Sequence, residues 1–451
     1  MDVVGRLRRI YTWLEDPPQQ PEKTTMCISF AFLEMVEVSS ADACWFTPVT
    51  VRTAIIQKIE GGFSRLLRDV LRDALLGEYG LVRGVDLKWG SPVHRCRLRA
   101  RFGTLVGDGD GLRQALDWNG ATGIKCCFRH TNVVSRRSRL GQRGDLVDVT
   151  CSDPARFKLA APGELSYIQE MLVALEAEVN AGRELDARYT EVCQASGFKA
   201  NPLGVMACPL LKPYVDLQTA VRYDWVHCLC QAGVLSLEVS LFFTRACELG
   251  ATSLENVSAY LTTKFSVCAA FRNALRSLPV LFDLWRTHEW EHLKSSSSEM
   301  LTMYPLLRHY AQRELAHRDD LGREALSLQK ACALADILLH CKHGLIAHGV
   351  AAGMLRSALS SHLQCHIAAY GVDSVRPKHH WMFDVSEMLA SDMRIHDTMI
   401  IERLHLKVKP EAEDIDNTST FEKSVLEAMF SHRKVNEGRF GRGETSGHPL
   451  P

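Results

Sequence analysis

Hydrophobic and polar positions follow two periods along this chain, and the change of period divides it. Across 50–76, Ile55, Ile56, Ile59, Phe63, Leu66, Leu67, Val70, Leu71, Ala74 and Leu75 mostly keep the i, i+3, i+4 spacing of an amphipathic helix. Gly61-Gly62 interrupts it and Gly77 is a stop signal. Across 93–106, Cys96, Leu98, Ala100 and Phe102 alternate with Arg95, Arg97, Arg99 and Arg101. Period two predicts a strand with one buried face and one basic face. This strand runs into Gly107-Asp108-Gly109-Asp110-Gly111, and 112–118 then reads as helical. Residues 26–38 are mixed apolar, a strand or a short helix, and 147–151 reads as a short strand. From about 164 to 370 the pattern is mostly helical, as at 168–179, 235–249, 325–340 and 351–369, with 295–298 as a serine loop. The expected fold class is therefore α/β plus all-α, with a strand-bearing first third and a long helical middle.

Composition narrows the function classes. With 451 residues, 24% charged and 46% hydrophobic, the chain is neither collagen-like nor wholly disordered. Lys+Arg and Asp+Glu are both 53, which excludes a uniformly basic nucleic-acid coat and leaves room for a local basic stripe. The longest apolar stretches, such as 233–243 with Glu238 inside it, fall short of the roughly 20 residues of a membrane span, so no membrane partner is expected. The Arg-rich residues 1–10 lack the apolar core of a secretory signal. The 15 cysteines, an odd number, read as mostly reduced thiols in a nuclear or cytosolic compartment.

Four constellations carry candidate chemistry. Asp108 and Asp110, at a strand end, offer carboxylates to a hard cation such as Mg²⁺; an acidic turn with local hydrogen bonds is the other reading. Cys127 and His130 form a C-x-x-H that suits zinc, but a structural site needs about four ligands and the spacing supplies two; a buried thiol beside a structural histidine is the alternative. Tyr223-Asp224-Trp225-Val226-His227 is either a ligand cluster or the start of a packed helix with Trp225 in the core. Glu402 follows the apolar Met399-Ile400-Ile401 and precedes Arg403, Lys407 and Lys409. Cys341/His343 and Cys365/His366 read as core thiols with satisfied histidines. P-loop, nucleophile-elbow and zincin motifs are absent.

In order along the chain, the strand, Gly107-Asp108, Cys127-x-x-His130, the helical stretch, Lys378-His379-His380 and Ile401-Glu402-Arg403 resemble a DDE/D transposase of the CACTA-related KDZ/Plavaka-like group, over roughly 26–410. Arg222–His227 is similar to a segment of that group's insertion. The resemblance implies an RNase H-like core interrupted by a large helical insertion. Residues 26–150 would be its first part, 151–375 the insertion, and 376–431 the returning segment. Residues 1–25, broken by Pro17, Pro18 and Pro21, would precede it as a polar segment, and 432–451 would follow as a disordered tail. It implies Asp108 as the second catalytic acid with Asp110 as fallback, Glu402 as the third, and Cys127 and His130 as scaffolding. The first acid would lie near Glu15 and Asp16, a poor strand context, which suggests a truncated copy with impaired activity. Two Mg²⁺ ions held by Asp108 and Glu402 would support DNA strand cleavage and transfer. Arg95, Arg97, Arg99 and Arg101, with Arg136, Arg137 and Arg139, would meet DNA phosphates in a salt-dependent, sequence-blind way. A nuclear location and a homo-oligomer fit this reading. A non-catalytic helical scaffold for protein partners is the alternative function.

Overall fold

The computed structural model describes residues 25–32, 45–89, 93–141, 143–265, 293, 295–399 and 421–428. They are mixed α/β and helical, and fall into two compact units.

The first unit draws on 1–103, 201–214 and 398–451. Strand β1 (Thr25–Phe30) pairs antiparallel with β2 (Phe46–Arg52), Cys27 opposite Thr50. Pairing takes Thr50–Arg52 into β2, so the helix read over 50–76 begins in earnest only at α1 (Gly62–Leu76). Gly61 adopts φ 80, a left-handed turn that L side chains resist, and an added Cβ there would lie 2.9 Å from Leu203. Gly77 caps α1 as its spacing predicts. Val49, Val51, Ile55, Ile56, Leu66 and Val70 form the core, with Met26, Ile28 and Phe63 against it. Burying each such side chain contributes about 1.5–3 kcal/mol. Asn201 and Val205 tie the 201–214 segment on, through Asn201 Nδ2 to Gly61 O (3.0 Å) and Val205 N to Ser64 Oγ (3.1 Å).

The basic strand differs from expectation. It is β4 (His94–Leu98), which pairs only with β3 (Val85–Trp89) in a hairpin and stops at Leu98. Cys96 is exposed, like Arg95 and Arg97, so the alternation marks a solvated hairpin and not a half-buried sheet strand. The strand that leads into Asp108 is a separate one.

The second unit covers 104–200 and 215–397. Here β5 (Leu105–Gly107) runs parallel to β8 (Val221–Tyr223), and β6 (Val133–Val134) parallel to β7 (Val147–Asp148). Among the described residues its α-helices of five or more residues are α2 (Gly109–Ala115), α3 (Glu164–Asn180), α4 (Asp186–Ser196), α5 (Trp225–Leu229), α6 (Val234–Glu248), α7 (Leu254–Lys264), α8 (Ser297–Glu314), α9 (Gly322–Lys342), α10 (His348–Tyr370) and α11 (Pro377–Asp392). The serine run is more than a loop: Ser296 caps α8 and Glu299 closes a capping box. Helix α6 packs on α9, α9 on α10, α10 on α11, and α11 on α5 and β8. Residues 225–248 are apolar enough by length and composition to cross a bilayer, with an 18-residue window of mean hydropathy 1.6, yet 78% of that window is buried inside the protein, as in a core helix. Every described cysteine is a free thiol. Among the described residues the strands form four two-stranded pairs.

The first unit is closed by a buried ion pair. Arg52 Nε lies 2.7 Å from Glu422 Oε1, both side chains nearly inaccessible, and the Arg52 guanidinium sits 4.7 Å from the Phe421 ring centre. Glu422→Ala leaves a buried guanidinium without its carboxylate and is expected to cost about 3–5 kcal/mol, read from the denaturation midpoint. The Arg52→Met/Glu422→Met double variant should recover most of that loss.

Candidate metal centre and strand-end carboxylates

Four ligand-type side chains from two distant segments meet in the second unit. Cys127 and His130 lie on the turn after α2, and His380 and Asp384 lie one turn apart on α11, so i, i+4 spacing puts both on one helix face. All four are buried, and one ligand atom from each lies within 4.8 Å of all the others. Cys127 Sγ is 3.7 Å from His130 Nδ1 and 3.3 Å from Asp384 Oδ2. His130 Nδ1 is 3.1 Å from His380 Nε2 and 3.1 Å from Asp384 Oδ1, and His380 Nε2 is 3.7 Å from Asp384 Oδ2. A tetrahedral ion bonded at ordinary lengths to thiolate, imidazole and carboxylate has ligand–ligand edges of about 3.3–3.6 Å. The observed separations run from 3.1 to 3.7 Å, with Asp384 Oδ1 toward His130 and Oδ2 toward Cys127 and His380.

The surroundings fit a cation. The Arg129 and His130 backbone N–H groups each donate to Cys127 Sγ at 3.3 Å, which favours thiolate. Asp384 Oδ1 is fully buried and meets only cationic groups, His130 Nδ1 at 3.1 Å and Arg129 Nε at 3.5 Å, without a well-aligned hydrogen bond. Burial pushes the Cys127 thiol up and the His380 imidazole down to about 4. For His130, burial favours the neutral form, but the Asp384 carboxylate outweighs it and holds the imidazole up at about 12. Burial likewise opposes Asp384 ionisation, but His130 draws it down to about 2. Glu387 Oε2 lies 3.3 Å from His130 Nε2, on the side away from the other ligands, where a partner that fixes ring orientation belongs.

Aromatic packing sets α11 in place. Trp381 Nε1 donates to Cys126 O at 2.7 Å, and the Trp381 ring stacks on Tyr223 of β8 at 5.0 Å. Phe157 packs edge-on against His380 at 4.6 Å. Arg222 of β8 pairs with Asp392 at the end of α11.

The same helix faces a second feature. Gly107 is the register partner of Tyr223, so Asp108 and Asp224 follow the carboxyl ends of two adjacent parallel strands, and Asp224 N donates to Gly107 O at 3.3 Å. Asp108 caps α2 through Gly111 N (2.6 Å) and is exposed. Asp224 is buried, caps α5 through Val226 N (2.9 Å) and contacts His227 Nδ1. Lys378 Nζ donates to His227 O (2.9 Å) and Gln231 O (2.7 Å); burial pushes its pKa down, against the charges of Cys228, Asp108 and Asp224. Gly109 leaves room for the helix: a Cβ there would meet Trp381 at 2.9 Å.

The other sequence-derived residues fall as follows. Asp110 is exposed and bonded to Arg113 (2.8 Å) and Gln114 (2.7 Å) within α2. Glu402, Glu15, Asp16 and the 432–451 tail lie outside the described residues. Arg95, Arg97, Arg99 and Arg101 are exposed in the first unit; Arg136 pairs with Asp373, while Arg137 and Arg139 are exposed in the second. Trp225 is fully buried, the packed-helix reading of its segment. His343 is exposed, not a core histidine. Sequence reasoning missed His380, Asp384 and the pairing of Asp224 with Asp108; the signal for the first two was the H-x₃-D spacing at the start of a helix.

No protein-family model, curated protein or solved structure matches this chain.

Metal loading is expected to displace protons from Cys127 and His130, so bound metal should fall as pH is lowered. His380→Ala should reduce metal content by one equivalent and lower Tm, and chelation of the wild type should lower Tm likewise. Metal content by mass spectrometry and thermal melts check this.

Proposed function

We propose that this chain is a transposase-derived protein of the DDE/D type, built for metal-dependent phosphoryl transfer on DNA, with a zinc ion at Cys127, His130, His380 and Asp384. The observation that carries the reading is the juxtaposition of Asp108 and Asp224 at the ends of parallel strands. In open α/β sheets, ligands bind outside the carboxyl ends of strands. Two acids there match the arrangement an RNase H-like core would need. In chain order Asp108 then becomes the first acid and Asp224 the second, which removes the need for one near Glu15 or Asp16. Glu402, the third acid that the resemblance implies, lies outside the described residues.

Oxygen donors suit Mg²⁺. When bound, a Mg²⁺ pair would activate the attacking oxygen and stabilise the leaving one. Asp108, exposed, offers its outer oxygen; Asp224, buried with one oxygen on Val226 N and the other on His227 Nδ1, would join it by giving up one of those contacts. Lys378 offsets the charge of both. The exposed Arg95, Arg97, Arg99 and Arg101, and Arg137 and Arg139, would neutralise phosphates. One thiolate, two imidazoles and a carboxylate suit zinc in a closed structural site, where it would fix α11 against the Cys127–His130 segment, while Trp381 and Asp392 of the same helix meet Tyr223 and Arg222 of β8.

The test is nicking of supercoiled plasmid with Mg²⁺ or Mn²⁺. Wild type should nick only with metal, and Asp108→Asn and Asp224→Asn should each lower the rate about 100-fold or more. Duplex binding should weaken steeply with salt. Absence of metal-dependent nicking by the zinc-loaded chain contradicts the catalytic assignment, and salt-insensitive or absent duplex binding favours the scaffold.

A further inference from the structure

A second ligand cluster lies deeper in the helical part of the second unit, apart from the tetrad and the strand-end acids. Glu238 comes from α6, and His362 and His366 from α10, again one turn apart on one face. Glu238 and His366 are fully buried and His362 is 1% exposed. Glu238 Oε2 lies 3.1 Å from His362 Nε2 and 2.7 Å from His366 Nδ1. Its other oxygen, Oε1, is buried with no hydrogen-bond partner. The Tyr370 hydroxyl, one turn beyond His366, lies within hydrogen-bonding reach of Glu238, and His379 Nε2, whose ring centre is 4.7 Å from that of His366, is buried with no hydrogen-bond partner. Unsatisfied polar atoms in an apolar bundle are costly unless something there binds them.

The tautomer of His366 is fixed from outside. Ser374 Oγ donates its one hydrogen to Gly371 O at 2.6 Å, so at its 2.9 Å contact with His366 Nε2 the imidazole must be the donor. A neutral His366 therefore carries its proton on Nε2 and turns a bare Nδ1 lone pair toward Glu238. Metal-ligating histidines are oriented by just such an outer hydrogen bond.

We propose that Glu238, His362 and His366 form a second metal site, for a borderline first-row divalent cation such as zinc, with Tyr370 beside the fourth position. Two imidazoles and one carboxylate select this class over Mg²⁺ or Ca²⁺, which favour all-oxygen shells. The full burial of all three ligands makes the site a structural clamp of α6 to α10. This inference is independent of the DNA-processing reading.

Cobalt(II) substitution of the full chain tests it, because this site contains no sulfur and the Cys127 site does. The wild type should bind two cobalt ions, one with a thiolate charge-transfer band and one with ligand-field absorption alone. Glu238→Gln should keep the thiolate band and lose the other ion. A wild type whose bound cobalt is at most one ion, all accounted for by the thiolate band, overturns the proposal, and this holds even if the variant does not fold. A folded Glu238→Gln chain that retains both ions also overturns it; that result would leave Glu238 as an ordinary buried ion-pair partner of the two imidazoles.

Discussion

Two imidazole nitrogens 3.1 Å apart, a thiol and a carboxylate share one dry pocket, and the chain brings them there across some 250 residues. Each group alone is expensive to bury. Contacts among them answer part of the demand: Cys127 Sγ donates to Asp384 Oδ2, and His130 Nδ1 and Arg129 Nε form ion pairs with Asp384 Oδ1 at 3.1 and 3.5 Å. A cation at the centre answers all four at once and costs only the protons it displaces. The rest of the second unit is arranged around this convergence.

Helix α11 is where its effects meet. One face carries His380 and Asp384 to the Cys127 turn; Trp381 from the same turn of helix bonds Cys126 and stacks on β8; Lys378, at its start, holds the end of α5; Asp392, near its end, pairs with Arg222. The positions of Asp108 and Asp224 depend on β5 and β8, and β8 is braced by α11. A metal that fixes α11 would thus act on the acids at one remove, by positioning and not by chemistry. The helices stacked behind it, α10, α9 and α6, extend the same packing to the Glu238 cluster.

Local chemistry was legible in the sequence, and long-range pairing was not. The helices over 164–370 were visible because their apolar stripes are long and regular. Cys127-x-x-His130 showed as half a site, because both ligands sit on one turn. His380 and Asp384 did not show as the other half, since i, i+4 polar pairs occur on any helix and only the fold says which face is buried. Asp224 stood in a segment that read either as a ligand cluster or as the start of a packed helix, and only the pairing of β5 with β8 puts it at a strand end next to that of Asp108. The arginine alternation misled for a physical reason: period two reports an extended chain, and whether one face is buried depends on what packs there. In the β3–β4 hairpin Cys96 and Leu87 stay exposed. Asp108 was placed correctly at a strand end, but on β5 and not on the basic strand.

The most direct measurement is anomalous diffraction at the zinc edge from crystals of the full chain. The account predicts a peak bonded to Cys127 Sγ, His130 Nδ1, His380 Nε2 and an Asp384 oxygen at about 2.0–2.3 Å. Density showing these four side chains bonded only to one another, with no peak between them, would contradict it.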